Sequence, residues 1–317
     1  RNNKKLDYFI ENKLGEGRRI TDLAGIWQSS SKHSSKNKQY YIQGGKMMKK
    51  SLKMLGIIAF YYITPVVLII LVTTLLRPFA FFQALTKSAG SSYFLITHPI
   101  IIGLYVVFFR TLKRQQFKKY CNFSNISPSK LLQAIAFGAL LGIFTYSLMN
   151  ISYIQKVFPS LQNSFKYFII QGNLFLLLAS ITMDAFLKEI GFRGLIFNEL
   201  REQMPPAPGL IIQALLYGVW VFLSTFDPLL AFYGALGAFM LGLAYYLVGS
   251  IWASISVGVC NSFAMILIDR TKLVGMFTNG TAIIIIPVTV ILVVGLIMLM
   301  SDNRQGLGGK ESTVGAK

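Results

Sequence analysis

The sequence predicts an all-α fold, a polytopic transmembrane bundle of about eight spans, and three observations carry that prediction. Of 317 residues, 54% are hydrophobic and 14% charged, a balance that leaves a water-soluble globule too little polar surface to cover itself. The apolar residues come in runs of about 20, the length at which a helix rising 1.5 Å per residue crosses about 30 Å of hydrocarbon. The basic residues gather in segments flanking those runs, as they do in the cytoplasmic loops of membrane proteins.

In chain order, residues 1–46 read as a polar, basic arm. Around Ser29 to Gln39 it is rich in Ser, Lys, Asn and Gln, a composition that buries too little apolar area to offset chain entropy, so most of the arm is expected to be flexible. The run Met47-Met48-Lys49-Lys50 resembles a bacterial translation start, which sets the preceding residues aside as an upstream extension. The transmembrane domain covers 47–300, with spans expected at 54–76, 93–109, 131–150, 165–187, 209–226, 229–248, 250–268 and 281–300. The first is too long for the apolar core of a signal peptide and reads as a retained signal anchor. Between the fourth and fifth spans, Lys188 to Met204 is a charged helical stretch that ends at Pro205-Pro206, where successive prolines stop a helix. Residues 301–317 form a short tail with Gly306, Gly308 and Gly309, expected to be disordered.

Charge orients this bundle. Arg1 to Lys53 holds 13 Lys or Arg against 4 Asp or Glu, and Arg110 to Lys130 holds 6 against none. Both segments are predicted to face the cytoplasm, and an even span count returns the tail to the same side. The expected location is the cell membrane, multi-pass, with both termini cytoplasmic. The net charge of +19 then finds its partner in anionic lipid headgroups. No nucleic-acid-binding motif accompanies it, so that function class is set aside. Cys121 and Cys260 have neither a disulfide framework nor metal-site spacing, and no metal or cofactor is expected. Asn122-Phe-Ser and Asn279-Gly-Thr fit the glycosylation sequon, but matches this short arise by chance.

The most informative stretch begins in the fourth span. Asp184, Lys188, Glu189 and Arg193 interrupt an apolar helix, and each charge costs roughly 2.5–3.5 kcal/mol at membrane depth unless paired or hydrated. Spacing supplies the partners. Glu189 with Arg193 and Asp184 with Lys188 are each four residues apart, acid before base, on one helix face. The plainest reading is a structural cluster of two ion pairs.

The same residues resemble a family signature. Lys188-Glu189-Ile-Gly-Phe192-Arg193-Gly194 is similar to the Glu-Glu-x-x-Phe-Arg-Gly motif of the CPBP or Abi membrane proteins, which include CAAX prenyl endopeptidases and bacteriocin-immunity proteins. Its first Glu is replaced by Lys188. A second motif, Phe-x-x-x-His, aligns with Tyr217 to Val221, keeping the aromatic and losing the His. A third, Gly-Ser-Leu-Trp leading to His-x-x-x-Asn, aligns with Gly249-Ser250-Ile251-Trp252. There the His falls on Val257 or Gly258, according to whether Asn261 or Ser262 takes the Asn position. The likeness covers about 165–268, with three motifs in the right order, and implies the family's helical bundle.

In active members of that family the first Glu and two His are thought to activate water against a peptide bond, a role that needs an unprotonated acceptor. Lys188 is a cation and cannot inherit it. The resemblance therefore implies a pseudoprotease with no catalytic residues; were the protein active, Glu189 and Lys188 would carry the chemistry, with His98 or Asp184 assisting. The lysostaphin-resistance branch, a membrane scaffold for a cell-wall glycosidase, has similarly degraded motifs. It implies a membrane-anchored partner such as a cell-wall hydrolase.

Of the two histidines, His33 lies in the polar arm, and His98, preceding Pro99 in the second span, reads as a packing or kink residue. Gly234, Gly237 and Gly242 with Ala235, Ala238 and Ala244 let helix backbones approach closely within the bundle, or else offer a face to a partner's helix. Trp220 and Trp252 lie near the lost His positions, as core packing or as bulk filling a vacated cavity. Span count and buried charge also fit a small-molecule transporter, but that would need paired Gly- or Pro-interrupted spans at midplane, and none stands out.

Overall fold

A computed structural model of the chain describes residues 51, 52, 54–88, 91–113, 116–160, 163 and 173–311. The arm 1–46, the Met47 start, residues 165–172 of the predicted span 165–187 and the last residues of the tail lie outside them. Among the described residues every regular element is helical. In chain order these are α1 (Met54–Leu76), α2 (Ala80–Ser88), α3 (Phe94–Phe108), which continues into a π turn (Phe109–Lys113), α4 (Phe117–Tyr120), α5 (Pro128–Met149) and α6 (Ser152–Val157). There follow α7 (Leu174–Glu189), a π-helical segment (Ile190–Phe197), α8 (Asn198–Arg201), α9 (Pro206–Thr225), α10 (Pro228–Val248), α11 (Ile251–Arg270), a 3₁₀ turn (Lys272–Met276) and α12 (Asn279–Glu311).

Seven helices among the described residues are long and apolar enough to cross a membrane: α1, α3 with its π turn to Thr111, α5, α9, α10, α11 and α12 to Asp302. The protein is a multi-pass, all-α membrane protein. Each of the seven lies within a few residues of a predicted span. The remaining one, 165–187, overlaps α7, which has 16 residues. The helix does not stop there. It runs through the π segment and α8 to Arg201, and all eight residues of Ile190–Phe197 are buried. The stretch expected as a charged connection is thus part of the core, because its apolar side chains outnumber its charges and those charges are internally paired. At the other end α12 continues past the predicted limit at 300 to Glu311, since adding residues to an existing helix costs little compared with nucleating one.

Caps set the helix limits. Ser127 Oγ accepts from Lys130 N ahead of α5, and Asn173 Oδ1 accepts from Leu176 N ahead of α7 at 3.2 Å. Each satisfies an amide that the first turn leaves unpaired. The α9–α10 connection is a single tight turn: Phe226 takes φ +54°, and Asp227 caps α10 through Leu229 N and Leu230 N at 2.8 and 3.0 Å. The Ser160 hydroxyl and these amides hold the Asp227 carboxyl below its ordinary pKa. At the end of α10 Gly249 adopts φ +76° and its N–H reaches Tyr245 O at 2.9 Å.

The bundle centres on α5 against α11, with α12 packed on α5, α9 against α10, and α7 between α3 and α11. Close approach depends on glycine. A Cβ on Gly142 would stand 2.5 Å from Asn261 O, and one on Gly138 would overlap the Val257 backbone. Across α9 and α10, Gly218 faces Ala231 and Ala235, while Gly234 receives Val221. Most of the small residues on α10 therefore serve internal packing. Both sequon asparagines have structural work: Asn122 and Ser124 hydrogen-bond to Gly249 O, and Asn279 Oδ1 accepts from Ser152 N at 3.0 Å.

Candidate functional site

The α7–π segment carries its four charged side chains into the interior. Arg193 Nη1 donates to Glu189 Oε1 at 3.0 Å, with the two side chains only 1% and 3% exposed. Arg193 Nη2 donates to Ala238 O on α10 at 2.7 Å, and Gln213 Nε2 on α9 reaches the same carbonyl at 3.2 Å. The guanidinium also sits over the Tyr217 ring at 5.7 Å. One arginine thereby ties three helices together. Charge-assisted bonds of this kind are about twice as strong as neutral ones.

One turn earlier, Asp184 holds two partners. Lys188 Nζ lies 2.5 Å from its Oδ2, and His98 Nε2, on α3, lies 3.2 Å from its Oδ1. Tyr217 lines the same cavity as Lys188. The other ring nitrogen of His98 is 3.0 Å from Thr97 Oγ1, and the ring stacks on Phe94. His98 is therefore more than a packing residue, since it braces the carboxylate from behind. No spacing rule relates position 98 to 184, so this partnership was not legible in the chain.

These side chains form the floor of a cavity of about 440 Å³ enclosed by α5, α7, α9, α10 and α11. Asp184, Lys188, Glu189, Arg193, Tyr217 and Asn261 provide its polar surface, and Leu141, Phe144, Leu236, Met240 and Leu241 belong to its apolar walls. Thr145 and Tyr233 close one end through hydroxyls 2.5 Å apart. Gln213, Thr145 and Tyr233 were not foreseen; of these only Gln213, an amide inside an apolar run, carried a signal.

The two candidate His positions of the third motif, Val257 and Gly258, differ in their surroundings. Gly258 lines the cavity, where a Cβ would stand 3.2 Å from Leu241 Cδ2, 3.8 Å from Ala185 Cβ and 4.0 Å from Glu189 Oε1. Val257 is fully buried against Gly138 on α5. Asn261 and Ser262 both line the cavity. In the second motif Tyr217 lines it, whereas Val221 packs against Gly234 and the core around Tyr233. The two tryptophans do not fill the space. Trp220 stacks edge-on against Tyr62 and Phe192, and Trp252 against Phe123 and Phe186, because both rings project toward neighbouring aromatic side chains rather than into the cavity.

Behind the π segment, a Cβ on Gly194 would meet Cys121 and Ile251 at 3.0 Å. Burial pushes the Cys121 thiol well above its usual range. It does the same to the adjacent Tyr120, whose hydroxyl donates to Glu199 Oε2 at 2.8 Å. Among the described residues no cluster of three or more His, Cys, Asp or Glu side chains is arranged to hold a metal ion.

Residues 170–264 match the family described as type II CAAX prenyl endopeptidase Rce1-like. This segment is Rce1-like. It spans α7 to most of α11 and so contains every motif position above, including the four charges on the cavity floor. The α5 wall lies outside the Rce1-like match, yet α5 packs on α11 within it. No curated protein and no solved structure gives a significant match to the chain.

Proposed function

We propose that the protein is a catalytically degenerate intramembrane member of this family, acting as a scaffold or regulator of a membrane-anchored enzyme of the bacterial envelope, such as a cell-wall hydrolase. One observation supports this above others: the cavity collects the motif positions but presents a cation and a glycine where a general base and its helper are needed. Lys188 is committed to Asp184 at 2.5 Å, Gly258 offers no side chain, and Val221 is a partly buried apolar side chain packed against a core cluster. General-base catalysis requires an unprotonated acceptor within reach of the attacking water. Glu189 is a carboxylate, but it is paired with Arg193, as a residue that holds the bundle would be.

A second reading has its own support. His98 and Asp184 form a contact beside Lys188 and Glu189, and an active endopeptidase using Glu189 would draw on that group. Incubating the full chain in lipid vesicles with a prenylated or leader peptide, alongside Glu189→Ala, separates the two. No cleavage by either protein is the expected result; cleavage by the parent that Glu189→Ala loses would establish the peptidase. For the scaffold, the chain tagged at native level and extracted in mild detergent is expected to co-purify with a cell-wall hydrolase identified by mass spectrometry. Isolation of the chain alone would count against it.

A further inference from the structure

We propose that Asp184 is a shared counter-charge that couples α3 to the cavity: His98 holds one of its oxygens from outside the cavity, Lys188 holds the other from inside, and each grip depends on the other. The coupling needs no catalytic step on the floor and stands apart from the scaffold reading.

The two holds come from different helices and different surroundings. Lys188 Nζ lies 2.5 Å from Asp184 Oδ2, one turn along the same helix, and its side chain is 33% exposed among the residues that line the cavity. His98 Nε2 lies 3.2 Å from Asp184 Oδ1. It belongs to α3, which packs on α7 but contributes none of the described residues that line the cavity. An ionised carboxylate only accepts hydrogen bonds, so His98 turns an N–H toward it at Nε2. The ring is placed to do so. It is 1% exposed, stacks on Phe94, and has its other nitrogen 3.0 Å from Thr97 Oγ1. Thr97 in turn donates to Tyr93 O, one turn back, at 3.1 Å.

Two partners on one carboxylate make the arrangement redundant. An acid at membrane depth is costly unless it is paired, and its attraction to a neighbour is stronger there than in water. With both partners present the negative charge is divided between them. Without His98 the whole of it falls on Lys188, which is then held more tightly; without Lys188 it falls on His98. Losing both strands the acid. Glu189 differs, since its ion-pair partner Arg193 comes from its own helical segment and ties it to no signal from α3. The His98 hold is also the more easily shifted. Pro99 follows it inside α3 and lacks the N–H that would bond Leu95 O, so the turn carrying His98 has one backbone bond fewer. A displacement of α3 thereby reaches the Lys188 ammonium in the cavity through a single side chain.

The test acylates amines of the full chain in lipid vesicles with acetic anhydride, which is small and membrane-permeant, and reads Lys188 against Lys130 by peptide mass spectrometry. Asp184→Asn is expected to raise the Lys188 rate at least about threefold and His98→Ala to lower it at least about threefold, through the change in its pairing. His98→Gln, which keeps an N–H donor, should return the rate toward that of the parent, and Lys130 should not change. Thermal unfolding checks the redundancy. The Tm loss of the His98→Ala/Lys188→Ala double variant is expected to exceed the sum of the two single losses, and adding Asp184→Asn to the double variant should recover folded yield by removing the stranded charge. Equal Lys188 rates in the parent and His98→Ala, additive Tm losses, or no recovery on adding Asp184→Asn would overturn the proposal. Failure of either single variant to fold would do the same, because the remaining partner would then be insufficient.

Discussion

At the scale of single residues, the two ion pairs look alike in sequence and differ in the folded protein. Glu189 and Arg193 are sealed from solvent and reach α10, while Asp184 and Lys188 side chains are 19% and 33% exposed. Removing Arg193 strands Glu189 without a counter-charge, and leaving one member of a buried pair alone costs about 3–5 kcal/mol. Removing Lys188 leaves Asp184 with His98 Nε2 at 3.2 Å. Arg193→Ala is therefore expected to lower the folded, monodisperse yield and Tm well below those of Lys188→Ala. Equal losses in size-exclusion and thermal measurements would refute the assignment. The spacing of four announced both pairs because helix geometry alone brings such residues together. The bracing of Asp184 by His98 had no such signature, because it depends on how α3 meets α7.

At the scale of elements, helix existence and type were legible while register between helices was not. The apolar runs announced the helices, while their exact starts were set by the caps Ser127 and Asp227, each followed by Pro, and Asn173, followed by Leu174. Which glycines matter depended on what lies opposite. A Cβ on Gly142 would press into the backbone of α11, whereas one on Gly237 would meet nothing within 4 Å. Overpacking a tight contact costs about 1–3 kcal/mol. Gly142→Ala is thus expected to lower stability by that amount, and Gly237→Ala to leave it nearly unchanged, as read from unfolding midpoints of the purified variants. The π segment was also hidden, since a change from four-residue to five-residue hydrogen bonding leaves no mark in composition. Such segments recur at functional sites, and here it directs Arg193 into the core.

At the scale of the whole molecule, topology turns on the helix from α7 to α8. If it crosses the bilayer with the seven long apolar helices, the count is even and both termini lie on one side. The distribution of Lys and Arg between the N-terminal arm and the 110–130 loop then predicts that this side faces the cytoplasm. Reporter fusions at the two ends, read for enzymatic activity that develops only on one side of the membrane, are expected to report cytoplasm for both. Opposite sides would mean that this helix enters and returns without crossing.

Membrane residence, the helical class, the approximate spans and the charged motif follow from the sequence alone, because each rests on composition or on spacing within one helix. Hydrocarbon demands long apolar runs, and a helix brings every fourth residue to the same face. The cavity, the different surroundings of Gly258 and Val257, the contact of His98 with Asp184 and the burial of Ile190–Phe197 were decided only by tertiary structure. Each joins residues from different helices, whose relative rotation and depth are set by packing across the whole bundle.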